Sequence, residues 1–294
     1  VELIPDDIPF EAYMQDTEQH RVLPASSFTK EVIELFYPTA ATPKMPAPLW
    51  EKMRTRLQFR PGELTLWAGV NGHGKSMFTS QVALDLCYQA ERVLSLSFEM
   101  PARQQMKRWN RQAWAGAMPP AERINEFARW TDNRLWIYDH MGDIEWKKVI
   151  AVMRYAREKF GITQFIVDSL TKCVRGEDDY NAQKDFVNGL TVFAHANEVH
   201  VHLVHHIRKG ESEHKCPGKF DIKGASSITD LSHNIAIVWK NANPKTDEHN
   251  CVVDIVKQRN GEFEGKLGFW FDLDSNQYLE KAGQVPQRYS LRLA

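Results

Sequence analysis

Apolar and polar positions change their rhythm near residue 46. Before it, prolines and mixed charges interrupt any period, and one short amphipathic run, "TKEVIELFYP" at 29–38, stands between "ASS" and "PTAATPKMPAP". Such a segment buries little by itself, so residues 1–44 are expected to form a linker carrying one docking helix, with residues 45–294 as one large domain. Beyond it, strand-like apolar runs alternate with stretches of helical period. The strand-like runs are "ELTLWAG", "RVLSLSFE", "RLWIYD", "QFIVDSL" and "VHVHLVHH". Between them lie "KSMFTSQVALDLCYQ", "ARQQMKRWNRQAWAG", "IEWKKVIAVMRYAREKFG" and "AQKDFVNGLTVFAHAN". Strands separated by about ten to fifteen helical residues imply βαβ units, hence an α/β fold with a mostly parallel twisted sheet and helices on both faces. The last runs, "HNIAIVWK", "NCVVDIVKQR" and "KLGFWFDL", follow one another without long helices. They are expected to continue the sheet as C-terminal antiparallel strands.

The first strand-to-helix junction reads "GVNGHGKS" at 69–76. Gly69, four residues, then Gly74, Lys75 and Ser76 satisfy the phosphate-loop spacing, Walker A. Glycines let successive backbone N–H groups curl towards phosphate oxygens, and the following helix N-terminus adds partial positive charge. Gly69, Asn71, Gly72, His73, Gly74, Lys75, Ser76 and Met77 are the expected nucleotide-binding residues. Lys75 would reach the β- and γ-phosphates of ATP, and the Ser76 hydroxyl would hold Mg2+.

In an open α/β sheet the ligand sits beyond the carboxyl ends of the strands, so the residue closing each run matters most. "FIVDS" closes on Asp168, the form of a Walker B strand whose carboxylate joins Ser76 in the metal shell. "VLSLSFEMP" closes on Glu99, placed to orient or deprotonate an attacking water; alternatively it is an acidic residue favoured by the dipole of the next helix. "EVHVHLVHHIRKG" brings four histidines together, yet no carboxylate or cysteine completes a compact ligand set, and a metal site is not expected there. His206, at the strand end, suits a γ-phosphate sensor. Two loops leave these ends. One carries Lys172 and Arg175, the other Arg208, Lys209, Lys215, Lys219, Lys223 and Gly224. Either they are solvated surface loops, or they contact the phosphates of a nucleic-acid strand.

Composition narrows the class. The 294 residues are 43% hydrophobic and 26% charged, ordinary for a globular chain with a large core. The four cysteines form no C-x-x-C pair, which argues against a zinc site or disulfide framework. No apolar run is long enough to span a bilayer, so no membrane partner is expected, and a cytoplasmic location is expected with a mitochondrial matrix left open. A net charge of −1 means that any nucleic-acid site must be a local concentration of cations.

Taken in order, these motifs resemble the hexameric replicative helicases of the DnaB type, within the RecA-like P-loop ATPases. The subgroup it looks most like comprises the helicase portions of phage primase–helicases and the mitochondrial helicase Twinkle. The resemblance covers roughly residues 46–280. It rests on "GVNGHGKS", "SLSFEMP", "FIVDSL", "LVHHIRKG", "DIKGASSITDLSHNIAIV" and "DIVKQRNGEFEG". It implies a RecA-like core in a ring, hexameric in the family's manner, that couples ATP hydrolysis with Mg2+ to movement on single-stranded DNA. Carried over by position, Glu99 is the catalytic base and His206 the sensor, and Lys257 and Arg259 reach the nucleotide of the neighbouring subunit. From the residues alone, Lys257 and Arg259 are equally a pair of solvated edge-strand charges. A primase or polymerase is the protein partner the resemblance allows. No primase pattern precedes residue 46, so priming is not expected. The alternative on the same core is a RecA-like recombinase that forms filaments on DNA.

Overall fold

Leu64, Leu66 and Ala68 enter one apolar layer, while Trp67, between them, enters another. This period of two, repeated in neighbouring runs, makes a sheet that must be covered on both faces. The computed structural model describes residues 24–39, 42, 44–174, 179–207, 216–222, 226–245 and 248–291. Its strands are β1 (Leu64–Gly69), β2 (Val93–Ser97), β3 (Leu135–Tyr138), β4 (Gln164–Asp168), β5 (His200–His206), β6 (Asn234–Lys240), β7 (Cys251–Gln258), β8 (Gly265–Phe271) and β9 (Tyr278–Leu279). They form one nine-stranded sheet in the order β3-β2-β4-β5-β1-β6-β7-β8-β9.

The helices are α1 (Thr29–Phe36), α2 (Glu51–Arg54), α3 (Lys75–Tyr88), α4 (Ala102–Trp114), α5 (Ala121–Thr131), α6 (Trp146–Phe160), α7 (Leu170–Cys173), α8 (Tyr180–Asn197) and α9 (Ser226–Leu231). One face of the sheet is covered by α6 and α8 through Val149, Met153, Phe186, Leu190 and Phe193. The other is covered by α3, α4 and α5 through Phe78, Val82, Trp109, Phe127 and Trp130, with Trp50 and Met53 beside them.

Three elements depart from the sequence expectation. β6 pairs with β1 in parallel, so the antiparallel part begins only at β7. The physical reason is α9, which brings the chain back to the amino edge of the sheet before β6 starts. The helix α5 follows Pro119 and Pro120, and its charged sequence hides the buried Phe127 and Trp130. β9 has two residues, too short to show alternation.

α3 differs in character rather than place: 11 of its 14 residues are buried, so it is enclosed all round. Its polar groups therefore find internal partners. Ser80 donates to Gln112 Oε1 at 3.0 Å, Gln81 accepts from Tyr278 N at 2.7 Å, and Asp85 accepts from Tyr289 Oη at 2.6 Å. In α1, by contrast, no residue is buried, and Leu35 and Phe36 are each 75% exposed. Among the described residues no helix is long and apolar enough to cross a membrane.

Candidate active site

The turn from β1 into α3 is made by two glycines in the left-handed region, Gly72 at φ 78° and Gly74 at φ 89°. Gly74 is required twice over. Its φ is one that side chains rarely adopt, and a Cβ there would meet the Tyr278 hydroxyl, which donates to the Gly74 carbonyl at 3.2 Å. At Gly69 a Cβ would meet the Val238 carbonyl oxygen. Asn71 and Gly72 face outwards, and His73 Nδ1 accepts from the Lys240 backbone N–H at 3.2 Å. The Met77 carbonyl accepts from Ser80 Oγ at 2.8 Å.

Lys75 folds back over the loop. Its ammonium donates to the carbonyls of Gly69 at 3.0 Å and Val70 at 3.1 Å, and the residue is only 5% exposed. Burial lowers its pKa to about 8, against the opposing pull of Asp168 and Glu99.

Sheet register gathers the other groups. His206 pairs with Gly69, and Ser97 with Asp168, so the ends of β1, β2, β4 and β5 share one edge. The Ser76 hydroxyl bonds to the Asp168 carboxylate. Burial pushes the Asp168 pKa up, while that hydroxyl, Arg108 and Lys75 oppose the shift and Glu99 adds to it. Arg108, on α4, donates to the Ser76 carbonyl at 2.8 Å. A hydroxyl and a buried carboxylate side by side are hard oxygen donors that fit Mg2+.

Glu99 lies on the other side of Asp168. Its Oε1 is 3.9 Å from His206 Nε2 and accepts from Ser169 Oγ at 2.7 Å. His206, then Ser169, hold its carboxyl down to about 2, against the effect of burial. Glu99 is therefore ionised at neutral pH. The Asp168–Ser169 peptide is cis.

The remaining histidines of β5 that face the core, His200 and His202, are structural groups. His200 Nδ1 bonds to the Arg60 carbonyl at 2.8 Å and its Nε2 to Thr65 Oγ1 at 2.9 Å. His202 Nδ1 accepts from Trp67 Nε1 at 3.2 Å and its Nε2 bonds to Gln164 Oε1 at 3.1 Å.

Lys257 and Arg259 are not brought to this edge. Lys257 Nζ donates to the carbonyls of Thr229 at 2.8 Å and Asp230 at 3.0 Å, and Arg259 Nη2 donates to Asp230 O at 2.7 Å. Both cap the end of α9 within their own subunit, a contact the sequence did not foreshadow. Lys172 lies 3.5 Å from Asp143, and Lys219 sits in a short turn, Lys219–Asp221. Arg175, Arg208, Lys209, Lys215, Lys223 and Gly224 lie outside the described residues.

Four residues of this region were not singled out from the sequence: Arg108, Ser169, Tyr278 and Phe220. Arg108 was legible only as a polar position within α4, and Tyr278 lies in a strand too short to read. Ser169 directly follows the Walker B carboxylate, a position that could have drawn notice. Phe220 is 98% exposed beside Lys219.

A parallel sheet with a phosphate loop at its carboxyl edge and carboxylates on neighbouring strand ends defines a P-loop nucleotide-hydrolase architecture. The chain belongs to the AAA domain family, whose family model matches residues 40–212. Its fold is similar to that of a solved helicase ATPase domain, with a TM-score of 0.76 at 16% identity over 88% of this chain and 99% of that one. It is also similar to a DnaB-like replicative helicase whose structure was described with its interactions with primase, with a TM-score of 0.72 at 16% identity over 92% of this chain and 69% of that one. The shared fold is that of a RecA-like helicase ATPase domain.

Proposed function

We propose that the chain is the motor domain of a ring-forming replicative DNA helicase, hydrolysing ATP at subunit interfaces and moving on single-stranded DNA. The observation that carries the reading is a divided site. Lys75, Ser76, Glu99, Asp168 and His206 share one edge of the sheet, while Lys257 and Arg259 lie towards the other. A nucleotide on that edge lacks its own subunit's arginine, as a site completed by a neighbour would.

In this reading the loop amides and Lys75 hold the β- and γ-phosphates. Ser76 and Asp168 would hold Mg2+, which neutralises charge on the transferred phosphoryl group when bound. Glu99, ionised and held at one oxygen, orients the attacking water. A carboxyl this acidic accepts the water's proton late, once the bond to phosphorus is largely broken, which suits a loose transition state. His206 bridges the γ-phosphate position and Glu99, so it reports on the nucleotide state to the segment that follows β5. The cations of the two loops, Lys172, Arg175, Arg208, Lys209, Lys215, Lys219 and Lys223, with Gly224, would contact DNA phosphates, and Phe220 offers a face on which a base stacks. The exposed apolar side chains of α1 would dock on the next subunit of a hexamer, leaving residues 1–44 as the connection between subunits. By extension from the similar DnaB-like protein, a primase is the partner to test first.

The recombinase alternative shares this core, and the likeness to two helicase domains favours the ring. The test combines electron microscopy with forked-duplex unwinding in the presence of ATP and Mg2+. Rings of about six subunits, ATP-dependent strand separation and turnover stimulated by single-stranded DNA are expected. Long filaments without unwinding would move the chain to the recombinase class.

A further inference from the structure

Ser169 is the N-cap residue of α7, yet its side chain makes no capping bond. A serine at this position ordinarily turns its hydroxyl onto the amides of the first turn. Here the hydroxyl donates instead to Glu99 Oε1 at 2.7 Å, and Ser169 is completely buried. The same oxygen faces His206 at 3.9 Å, so both contacts fall on Oε1 and leave Oε2 for water.

A second hydroxyl stands behind the first, with Ser169 Oγ 2.8 Å from Thr171 Oγ1. Proton inventory fixes the direction of this chain. An ionised carboxylate only accepts, and a serine has one hydroxyl proton, so Ser169 gives its proton to Glu99 and Thr171 must donate to Ser169. Thr171 belongs to α7, next to Lys172 in the segment that leaves the Walker B strand.

We propose that Ser169 is a positioning residue for hydrolysis, fixing one oxygen of Glu99 so that the other meets the attacking water, with Thr171 setting the orientation of the Ser169 hydroxyl. The inference rests on Glu99 being the group that orients water. It also assigns a route by which a change in the segment after Asp168 reaches the reacting carboxylate. Two hydroxyls in series polarise one another, so loss of either weakens the grip.

The experiment compares Ser169→Ala, Thr171→Val, the double variant and Glu99→Gln in the full chain. It measures steady-state kcat and KM for ATP and the affinity for a fluorescent, non-hydrolysable ATP analogue. Ser169→Ala is expected to lower kcat about tenfold with KM and analogue affinity unchanged, because the bond acts on the water-orienting group and not on bound phosphate. Thr171→Val should lower kcat about threefold, the smaller loss expected of a group one hydrogen bond further away. The double variant should be no slower than Ser169→Ala, since Thr171 acts through Ser169. Wild-type turnover in Ser169→Ala, additive losses in the double variant, or a parallel loss of analogue binding overturns the inference. Glu99→Gln separates the two levels. If it is inactive while Ser169→Ala turns over normally, only the positioning role fails; if Glu99→Gln turns over normally, the role of Glu99 itself fails.

Discussion

Lys75 carries a cation into a site that offers two carbonyl oxygens at 3.0 and 3.1 Å and is 5% exposed. Its pKa falls from 10.5 to about 8, which at about 1.4 kcal/mol per unit corresponds to roughly 3 kcal/mol of destabilisation while it stays protonated. Phosphate would relieve that cost, and so the loop is strained towards its ligand. Below about pH 8 both folded and unfolded forms carry the proton and the penalty is complete. Between about 8 and 10.5 the unfolded chain binds more protons, so stability rises with pH, and above 10.5 the penalty is gone. Lys75→Met keeps the stem and removes the charge. Thermal melting of the ligand-free variant at neutral pH should lie a few degrees above wild type, with the gap narrowing as pH rises through 8, while ATP turnover is lost. A lower melting temperature at neutral pH would show that the buried charge is not a burden. The phosphate loop was legible because its glycines and lysine sit at fixed offsets. Ser169 and Arg108 were not, because their roles depend on which strand ends the sheet sets side by side.

At the scale of the element, β5 shows how a strand rich in histidine is built into a core. The Arg60 carbonyl accepts only, so His200 carries its proton on Nδ1 and receives the Thr65 hydroxyl at Nε2. The Trp67 indole donates only, so His202 carries its proton on Nε2 and gives it to Gln164. Neighbouring histidines on one face are thus locked neutral in opposite tautomers across β4, β5 and β1. Burial lowers the His200 pKa to about 3 and that of His202 well below its ordinary value. The unfolded chain takes up these protons near pH 6.5 while the folded form refuses them, so stability falls as pH drops from about 6.5 towards 3. Each such histidine adds about 1.4 kcal/mol per pH unit to the slope. Urea unfolding at a series of pH values should show this slope in wild type, reduced by about one proton in His202→Gln, whose amide can both accept from Trp67 and donate to Gln164. An unchanged slope would place the acid sensitivity elsewhere. The sequence signalled β5 through its alternation, and the same alternation suggested a shared histidine face. It did not reveal the tautomers, which depend on neighbours as distant along the chain as Trp67 and Gln164. α3 was legible as a helix for the wrong reason. Its apolar positions were read as one face, whereas the helix is enclosed on all sides by the sheet, α4, the segment before β1 and the C-terminal residues Tyr278 and Tyr289.

The whole molecule turns on where Arg259 can act. Its backbone N–H donates to the His233 carbonyl at 2.9 Å, and that of His233 to the Leu64 carbonyl at 3.0 Å. Arg259 is therefore level with the start of β1, five residues before Gly69, or roughly 17 Å along the strand at about 3.3 Å per residue. It does not serve its own phosphate loop from there. Its guanidinium contact with Asp230 O is exposed, and Lys257 reaches the same carbonyl at 3.0 Å, so Arg259→Ala should cost the fold little. If the arginine completes a neighbour's site, the variant should bind ATP normally yet turn over about a thousandfold slower, the scale of an arginine that stabilises phosphoryl-transfer charge. Reduced turnover alone does not distinguish a neighbour's site from a disturbed α9. Mixing does. Arg259→Ala subunits lack the finger but keep Glu99, and Glu99→Gln subunits lack the carboxylate but keep the finger. Each is inactive alone. When subunits exchange into mixed rings, some interfaces join an intact Glu99 to the intact Arg259 of the next copy, and part of the hydrolysis should return. A disturbed α9 within one subunit would give no such recovery. If mass spectrometry of the mixed assemblies shows exchange and no activity reappears, Arg259 does not act across the interface, and the divided site no longer argues for a ring.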